Sequence, residues 1–232
     1  MSHYEKSWQA VLRRVADAAQ AAGRAPDSVA VLAVSKTFPA DAIRAVHALG
    51  QHSFGENYVV EGAAKRESLR ALTDVQWHLI GPLQSNKTGL AAATFDWVES
   101  VDRLKIAQRL SAQRPGTMAP LAVCVQVNAS GERAKSGVPP AEVLALARAV
   151  SALPNLRLRG IMGIPEPIDD GARQRAQFRV LRDCFDGCRD AGLPVDTLSM
   201  GMSSDLESAI AEGATQVRIG TAIFGIRQRT NG

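Results

Sequence analysis

The chain has 232 residues, of which 46% are hydrophobic and 22% are charged, with a formal net charge of +4. No segment reaches the roughly 18 uninterrupted apolar residues of a membrane span, and the N-terminal segment has the pattern of a charged amphipathic helix without a signal-peptide core. Basic residues are interspersed with acidic ones, unlike the basic and aromatic clusters typical of nucleic-acid binding. We therefore expect one domain over 1–232, a cytoplasmic monomer without membrane or nucleic-acid partners. Its mild basicity is better suited to a small anionic ligand.

Short β-rich segments alternate with helical patterns along the chain, as in parallel βα units. A helix is predicted over 4–22, followed by strands at 29–35, 52–55, 76–80, 95–99, 121–127, 157–163, 196–200 and 216–220. The intervening helices are predicted at 39–49, 56–71, 102–113, 139–152, 171–190 and 204–212. Eight strands match a closed (β/α)8 TIM barrel better than an open doubly wound sheet, which usually has about five or six. The predicted fold class is therefore α/β, a TIM barrel with an extra N-terminal helix.

Polar residues follow several of these strands, at the end of a barrel where binding and catalytic groups are found. Lys36 ends the apolar run VLAVS of the first strand, Asn57 follows the second strand, and His78 lies near the end of the third. A solvated surface lysine is the ordinary interpretation of Lys36 taken alone. The collection of residues, and not any single member, indicates a site.

The loops after the last two strands have the composition of a phosphate site. After strand seven, Ser204 and Glu207 have the spacing of a helix capping box, and Ser203 precedes that cap. After strand eight, Gly220 allows close approach of the backbone and Thr221 adds a hydroxyl. These are the two loops in which TIM barrels most often bind phosphate. We therefore predict phosphate binding by Ser203, Gly220 and Thr221.

Arg218 interrupts the apolar alternation of strand eight. Its guanidinium either forms a structural ion pair or is directed into the barrel mouth beside the ring that carries the phosphate. Both interpretations can hold. The three cysteines form no C-x-x-C pair, and neither a metal site nor a catalytic residue is predicted.

Several motifs together resemble the pyridoxal-phosphate homeostasis protein family, single-domain relatives of the N-terminal barrel of alanine racemase. The motifs are Lys36 and the segments FGENYVVE, WHLIGPLQSNK, LRGIMGI, MGMSSDLESAI and VRIGTAIFG. They are specific as a set, and the resemblance extends over almost the whole chain.

The resemblance implies that pyridoxal 5′-phosphate (PLP) is the cofactor and that Lys36 holds it as a Schiff base. It places Ser203, Gly220 and Thr221 around the phosphate, Arg218 at the pyridine nitrogen and Asn57 near the ring. The implied function is intracellular PLP homeostasis without catalysis, by buffering the cofactor or delivering it to apo PLP-dependent enzymes, with effects on amino-acid and keto-acid metabolism.

Two alternatives stay open. A PLP-dependent amino-acid racemase requires a second base, which alanine racemase takes from an additional domain; the tyrosines here, Tyr4 and Tyr58, are not well placed for that role. A phosphate-binding barrel enzyme could instead use Lys36 as an aldolase-type Schiff-base lysine without a cofactor. Arg218 within strand eight favours the cofactor interpretations over this last one.

Overall fold

The computed structural model describes residues 3–130, 136–166 and 170–225. Within them, eight parallel strands pair in chain order, and β8 closes onto β1. The strands are β1 (Ala30–Val34), β2 (Ser53–Glu56), β3 (Gln76–Leu79), β4 (Trp97–Val101), β5 (Leu121–Val127), β6 (Leu156–Gly163), β7 (Thr197–Ser199) and β8 (Gln216–Ile219). The predicted TIM barrel is confirmed.

A ring of helices surrounds the strands. The helices are α1 (His3–Ala21), α2 (Ala40–His47), α3 (Val59–Ser68), α4 (Thr88–Thr94), α5 (Leu104–Gln113), α6 (Val143–Ser151), α7 (Gly171–Asp190), α8 (Leu206–Ala211) and α9 (Thr221–Phe224), with 3-10 turns at Ser85–Lys87 and Pro140–Glu142. Helices α2 to α8 connect successive strands. The predicted N-terminal helix is present as α1, which packs against α2, α8 and α9. It completes the ring at a place where, up to residue 225, the short α9 is the helix that follows β8.

The region around β4 differs from its prediction in two ways. Helix α4 was not predicted, because its sequence TGLAAAT has no long apolar stripe and instead buries small residues such as Ala91 and Ala92. Strand β4 begins at Trp97 and not at residue 95, because the N–H of Phe95 still donates to the Ala91 carbonyl at the end of α4.

Burial differs between the strands. Every residue of β5 is buried, which explains the continuous apolar run in its sequence. The strands also bury polar side chains, which are Glu56, His78, Glu99, Ser100, Gln126, Thr197, Ser199, Gln216 and Arg218. Buried polar groups need hydrogen-bond partners, and the hydrogen bonds of several of these side chains connect to the functional end of the barrel.

In the part of the chain that the structure describes, no helix is both long enough and apolar enough to cross a bilayer.

Candidate functional site

A cavity of about 920 Å³ opens at the C-terminal ends of the strands. All the residues predicted to bind cofactor line it: Lys36, Asn57, Ser203, Arg218, Gly220 and Thr221. Val34 and Ile80 add an apolar surface, and both pack with the fully buried Leu32. The cavity therefore combines an amine, a guanidinium and hydroxyl groups with an apolar surface suited to a flat ring.

Lys36 lies two residues after the end of β1 and is half-buried. Thr37 after it has a φ of 68°, in the left-handed region that residues other than glycine rarely adopt. Its N–H donates to Glu61 Oε1, while on the other side of Lys36 the Ser35 carbonyl accepts a hydrogen bond from Lys65 Nζ over 2.8 Å. Helix α3 thus fixes the backbone on both sides of the predicted Schiff-base lysine.

Lys65 also belongs to a buried charge cluster beneath this loop. Its Nζ lies 2.7 Å from Glu56 Oε1 and 2.7 Å from Glu61 Oε1, and Ser35 Oγ donates to Glu56 Oε1 over 2.6 Å. Burial raises the pKa of Glu56 even though the Lys65 ammonium opposes this shift. The sequence analysis did not predict this cluster. The pattern that could have indicated it is Glu56 at the end of a strand, followed by Glu61 and Lys65 spaced i,i+4 in a helix.

Asn57 leads from β2 into α3 and is closely covered by the loop after β3. A Cβ atom built on Gly81 would lie 2.1 Å from the Asn57 carbonyl oxygen. Only glycine permits this approach. The loops after β2 and β3 therefore meet at the cavity. Asn57 was predicted inside a helix over 56–71, but the structure begins α3 at Val59, which leaves Asn57 in the connecting loop.

Arg218 is buried, and its guanidinium is held by groups at the ends of β6 and β7. One terminal nitrogen donates to Ser199 Oγ and the other to the Gly163 carbonyl, each over 2.8 Å. No acidic group contacts it directly among the residues that the structure describes, so the predicted structural ion pair is replaced by neutral acceptors. Burial lowers the pKa of Arg218, and the charge of Glu99 counteracts this shift.

Behind Ser199 lies a hydrogen-bonded network that the sequence did not reveal. Ser199 Oγ donates to Glu99 Oε2 over 2.6 Å, and Gln216 Nε2 and His78 Nδ1 contact Glu99 Oε1 at 2.8 and 2.7 Å. Burial raises the pKa of Glu99, but the His78 hydrogen bond and the Arg218 charge outweigh it, so the net shift is downward. His78 therefore lies behind the cavity and supports Arg218 through Glu99 and Ser199.

The loops after β7 and β8 meet on another side of the cavity. The Ala222 N–H lies 3.4 Å from Ser203 Oγ, and Arg14 from α1 donates to the Ser203 carbonyl over 2.7 Å. The predicted capping box is wrong. Asp205 is the residue before α8, its carboxylate accepts from the Met202 N–H, and Glu207 pairs with Arg14 instead.

Ser204 does not cap α8 and instead lines the cavity beside Ser203 and Thr221. The sequence assigned it to the helix end because the spacing of Ser204 and Glu207 fits a capping box, and a spacing does not show which of two adjacent acceptors occupies the N-cap. The structure therefore brings three hydroxyl groups to this side of the cavity.

The tyrosines lie elsewhere. Tyr4 packs against Phe224 with ring centroids 6.1 Å apart, and Tyr58 is 59% exposed. Among the described residues that line the cavity, the ionisable side chains are Lys36 and Arg218.

This fold and site define a class of barrel protein. The family model described as "Alanine racemase, N-terminal domain" matches residues 8–228. The barrel with a lysine after its first strand is thus of the alanine-racemase type.

Close relatives narrow the family. The chain is 57% identical to the pyridoxal phosphate homeostasis protein of Pseudomonas aeruginosa, covering 98% of this chain and 97% of that one, and 50% identical to that of Escherichia coli, covering 92% of each. A solved structure of PipY from Synechococcus elongatus PCC7942 with PLP bound has a TM-score of 0.80 and 39% identity, covering 91% of this chain and 100% of that one. The chain therefore belongs to the pyridoxal phosphate homeostasis protein family.

Proposed function

We propose that this protein binds PLP and acts in its homeostasis, holding the cofactor and releasing it to other proteins. The observation that carries the proposal is the convergence of the Lys36 amine, the Arg218 guanidinium and the Ser203 and Thr221 hydroxyls on one cavity. These groups suit an aldehyde, a pyridine nitrogen and a phosphate. The similarity to PLP-bound PipY supports the same ligand.

Each residue has a distinct proposed role. Lys36 bonds covalently to the cofactor as a Schiff base; Ser203, Gly220 and Thr221 bind the phosphate; and Asn57 lies near the ring. Arg218 faces the pyridine nitrogen. PLP supplies an electron-withdrawing ring when its nitrogen is protonated, and a neighbouring guanidinium disfavours that protonation because two cations would be adjacent.

The absence of catalysis is part of the proposal. Racemisation needs an acid or base on each face of the substrate. Besides Lys36 and Arg218, the described lining residues carry hydroxyl, amide or apolar side chains and no second base. The relatives are named as homeostasis proteins, which is consistent with holding and transferring the cofactor.

Location and partners complete the proposal. Helix α1 buries Trp8, Val11 and Val15 and is therefore part of the fold. The location we propose for the protein is the cytoplasm. We expect a monomer that delivers PLP to apo forms of PLP-dependent enzymes.

The decisive experiment locates the covalent bond. The protein incubated with PLP should show a visible absorption band that borohydride bleaches, and peptide mass spectrometry should find the reduced adduct on Lys36. Lys36→Ala should lose the band and keep part of its PLP affinity through the phosphate contacts. The matched control is Lys87→Ala, since Lys87 is an exposed lysine after β3.

Two results would contradict this assignment. One is an adduct on Lys87 or on Lys135, which lies outside the described residues. The other is an unchanged bleachable band in Lys36→Ala.

A further inference from the structure

One group of possible metal ligands among the described residues lies far from the cavity. His47, His52 and Asp74 come together at the N-terminal end of the barrel, the end opposite to Lys36. His47 is the last residue of α2, His52 directly precedes β2, and Asp74 lies two residues before β3. The end of one helix and two loops thus contribute one ligand each. The sequence pattern did not predict this group.

The distances suit a shared ion. Asp74 Oδ1 lies 2.9 Å from His47 Nε2, and Asp74 Oδ2 lies 3.0 Å from His52 Nδ1. All three ligand atoms are within 4.8 Å of one another. Nitrogen and oxygen ligands about 2.0–2.1 Å from a tetrahedral zinc ion lie roughly 3.3–3.4 Å apart. Small side-chain rotations therefore suffice to place one atom of each residue around an ion.

The site is open to solvent on one side. The side chains of His52 and Asp74 are about half exposed, at 53% and 54%, while that of His47 is 16% exposed. His47 is therefore held by packing, and the other two ligands leave room for an ion to enter and for water to occupy a further coordination position.

The ligand chemistry selects the ion. Imidazole nitrogens suit zinc and other divalent transition metals, whereas magnesium and calcium prefer all-oxygen sites. We propose that His47, His52 and Asp74 form a binding site for a divalent transition-metal ion, independent of the PLP cavity. A bound ion would connect the end of α2 to the starts of β2 and β3, and it would stabilise the folded protein because the unfolded chain does not bring the three ligands together.

The test uses the full chain with zinc as the probe. Isothermal titration should show one zinc ion per chain, and zinc should raise the thermal midpoint while the same concentration of magnesium does not. Asp74→Asn and His52→Gln should each weaken zinc binding at least tenfold. Asp27→Asn is the matched control, because it removes an exposed carboxylate at the same end of the barrel; it should leave zinc binding unchanged.

Two further variants test whether zinc binds to other groups of the protein instead of the proposed site. Cys184→Ser removes a thiol spaced i,i+4 from Cys188 on α7, and Lys36→Ala removes the amine of the cofactor cavity; both should keep the wild-type zinc affinity. Each variant is compared with its own metal-free thermal midpoint, so a change in stability does not obscure binding.

Cobalt provides a direct readout of coordination. Cobalt(II) should give visible d–d bands in the wild type that His52→Gln loses. Equal zinc affinity in the wild type and both ligand variants would overturn the site, as would zinc binding that disappears with Lys36→Ala or Cys184→Ser.

Discussion

Lys65 Nζ donates to the carbonyl of Ser35, one residue before Lys36, over 2.8 Å. The same ammonium contacts Glu61, whose carboxylate accepts from the N–H of Thr37, one residue after Lys36. A buried cation on α3 therefore positions the loop that carries the predicted Schiff-base lysine. Rigid support of this kind reduces the ordering cost when a ligand binds.

Removing this cation should destabilise the protein strongly. Lys65→Met leaves the fully buried Glu56 without its charged partner, and losing one member of a buried ion pair costs about 3–5 kcal/mol. The double variant Glu56→Gln, Lys65→Met should recover part of this loss. Urea unfolding measures both, with Arg70→Met as the control because Arg70 forms an exposed pair with Glu67. Equal stability of Lys65→Met and the wild type would contradict a structural role for the cluster.

The destabilisation caused by Lys65→Met should also depend on pH. The folded state holds the Glu56 proton more tightly than the unfolded state, because the pKa of Glu56 is raised by burial above its ordinary value of 4.5. Its contribution to stability is therefore lost as pH rises from about 4.5 through the folded pKa. Without Lys65 the opposing charge is gone and the pKa rises further. The destabilisation by Lys65→Met should be larger at pH 8 than at pH 5; a difference independent of pH would exclude this mechanism.

The contribution of Glu99 to stability should depend on pH in the opposite direction. Its folded pKa is lowered because the His78 hydrogen bond and the Arg218 charge outweigh burial, so its stabilisation is present above about 4.5 and is lost as pH falls through the folded pKa. Glu99→Gln should cost about 1–3 kcal/mol at pH 7, because buried donors lose a charged acceptor. That cost should shrink toward pH 3.5 in denaturant unfolding. The exposed Glu67→Gln is the control, and a cost that grows on acidification would contradict the prediction.

The barrel was predictable from the sequence because its strongest signals are local. The run LAVCVQV of β5 and the amphipathic α7 were predicted with the observed bounds. The lysine after β1 and the loops after β7 and β8 were predictable as cavity residues since the fold itself brings strand ends together.

The supporting groups were not predictable, because they depend on long-range contacts. Ser199 and Glu99 are 100 residues apart in the chain, and no periodicity relates them. His47 and Asp74 likewise meet only in the folded chain, where the end of α2 lies beside the loop that precedes β3.

The phosphate prediction compares two ligands. If Ser203, Gly220 and Thr221 bind the phosphate, pyridoxal should bind far more weakly than PLP, because it loses several charge-assisted hydrogen bonds of roughly 1.5–3 kcal/mol each. Thr221→Val should weaken PLP binding through the loss of one such hydrogen bond. It should therefore reduce the difference in affinity between PLP and pyridoxal. Fluorescence titration measures both, with the exposed Thr117→Val as control. Similar affinities for pyridoxal and PLP would show that the phosphate binds elsewhere.

The last prediction separates a carrier from an enzyme. An enzyme that abstracts the Cα proton of an amino acid exchanges it with solvent, and incubation in deuterium oxide followed by NMR detects even one such step. Because Lys36 and Arg218 are the ionisable groups among the described lining residues, and because Arg218 disfavours the protonated ring, we expect no exchange above the rate of free PLP with common amino acids. The same preparation should transfer PLP to an apo PLP-dependent enzyme and restore its activity. Rapid exchange of the Cα proton of any one amino acid by the wild type would instead support the racemase alternative. The variant Arg218→Glu removes the cation that opposes ring protonation. If the guanidinium suppresses proton exchange, this variant should raise any residual exchange rate.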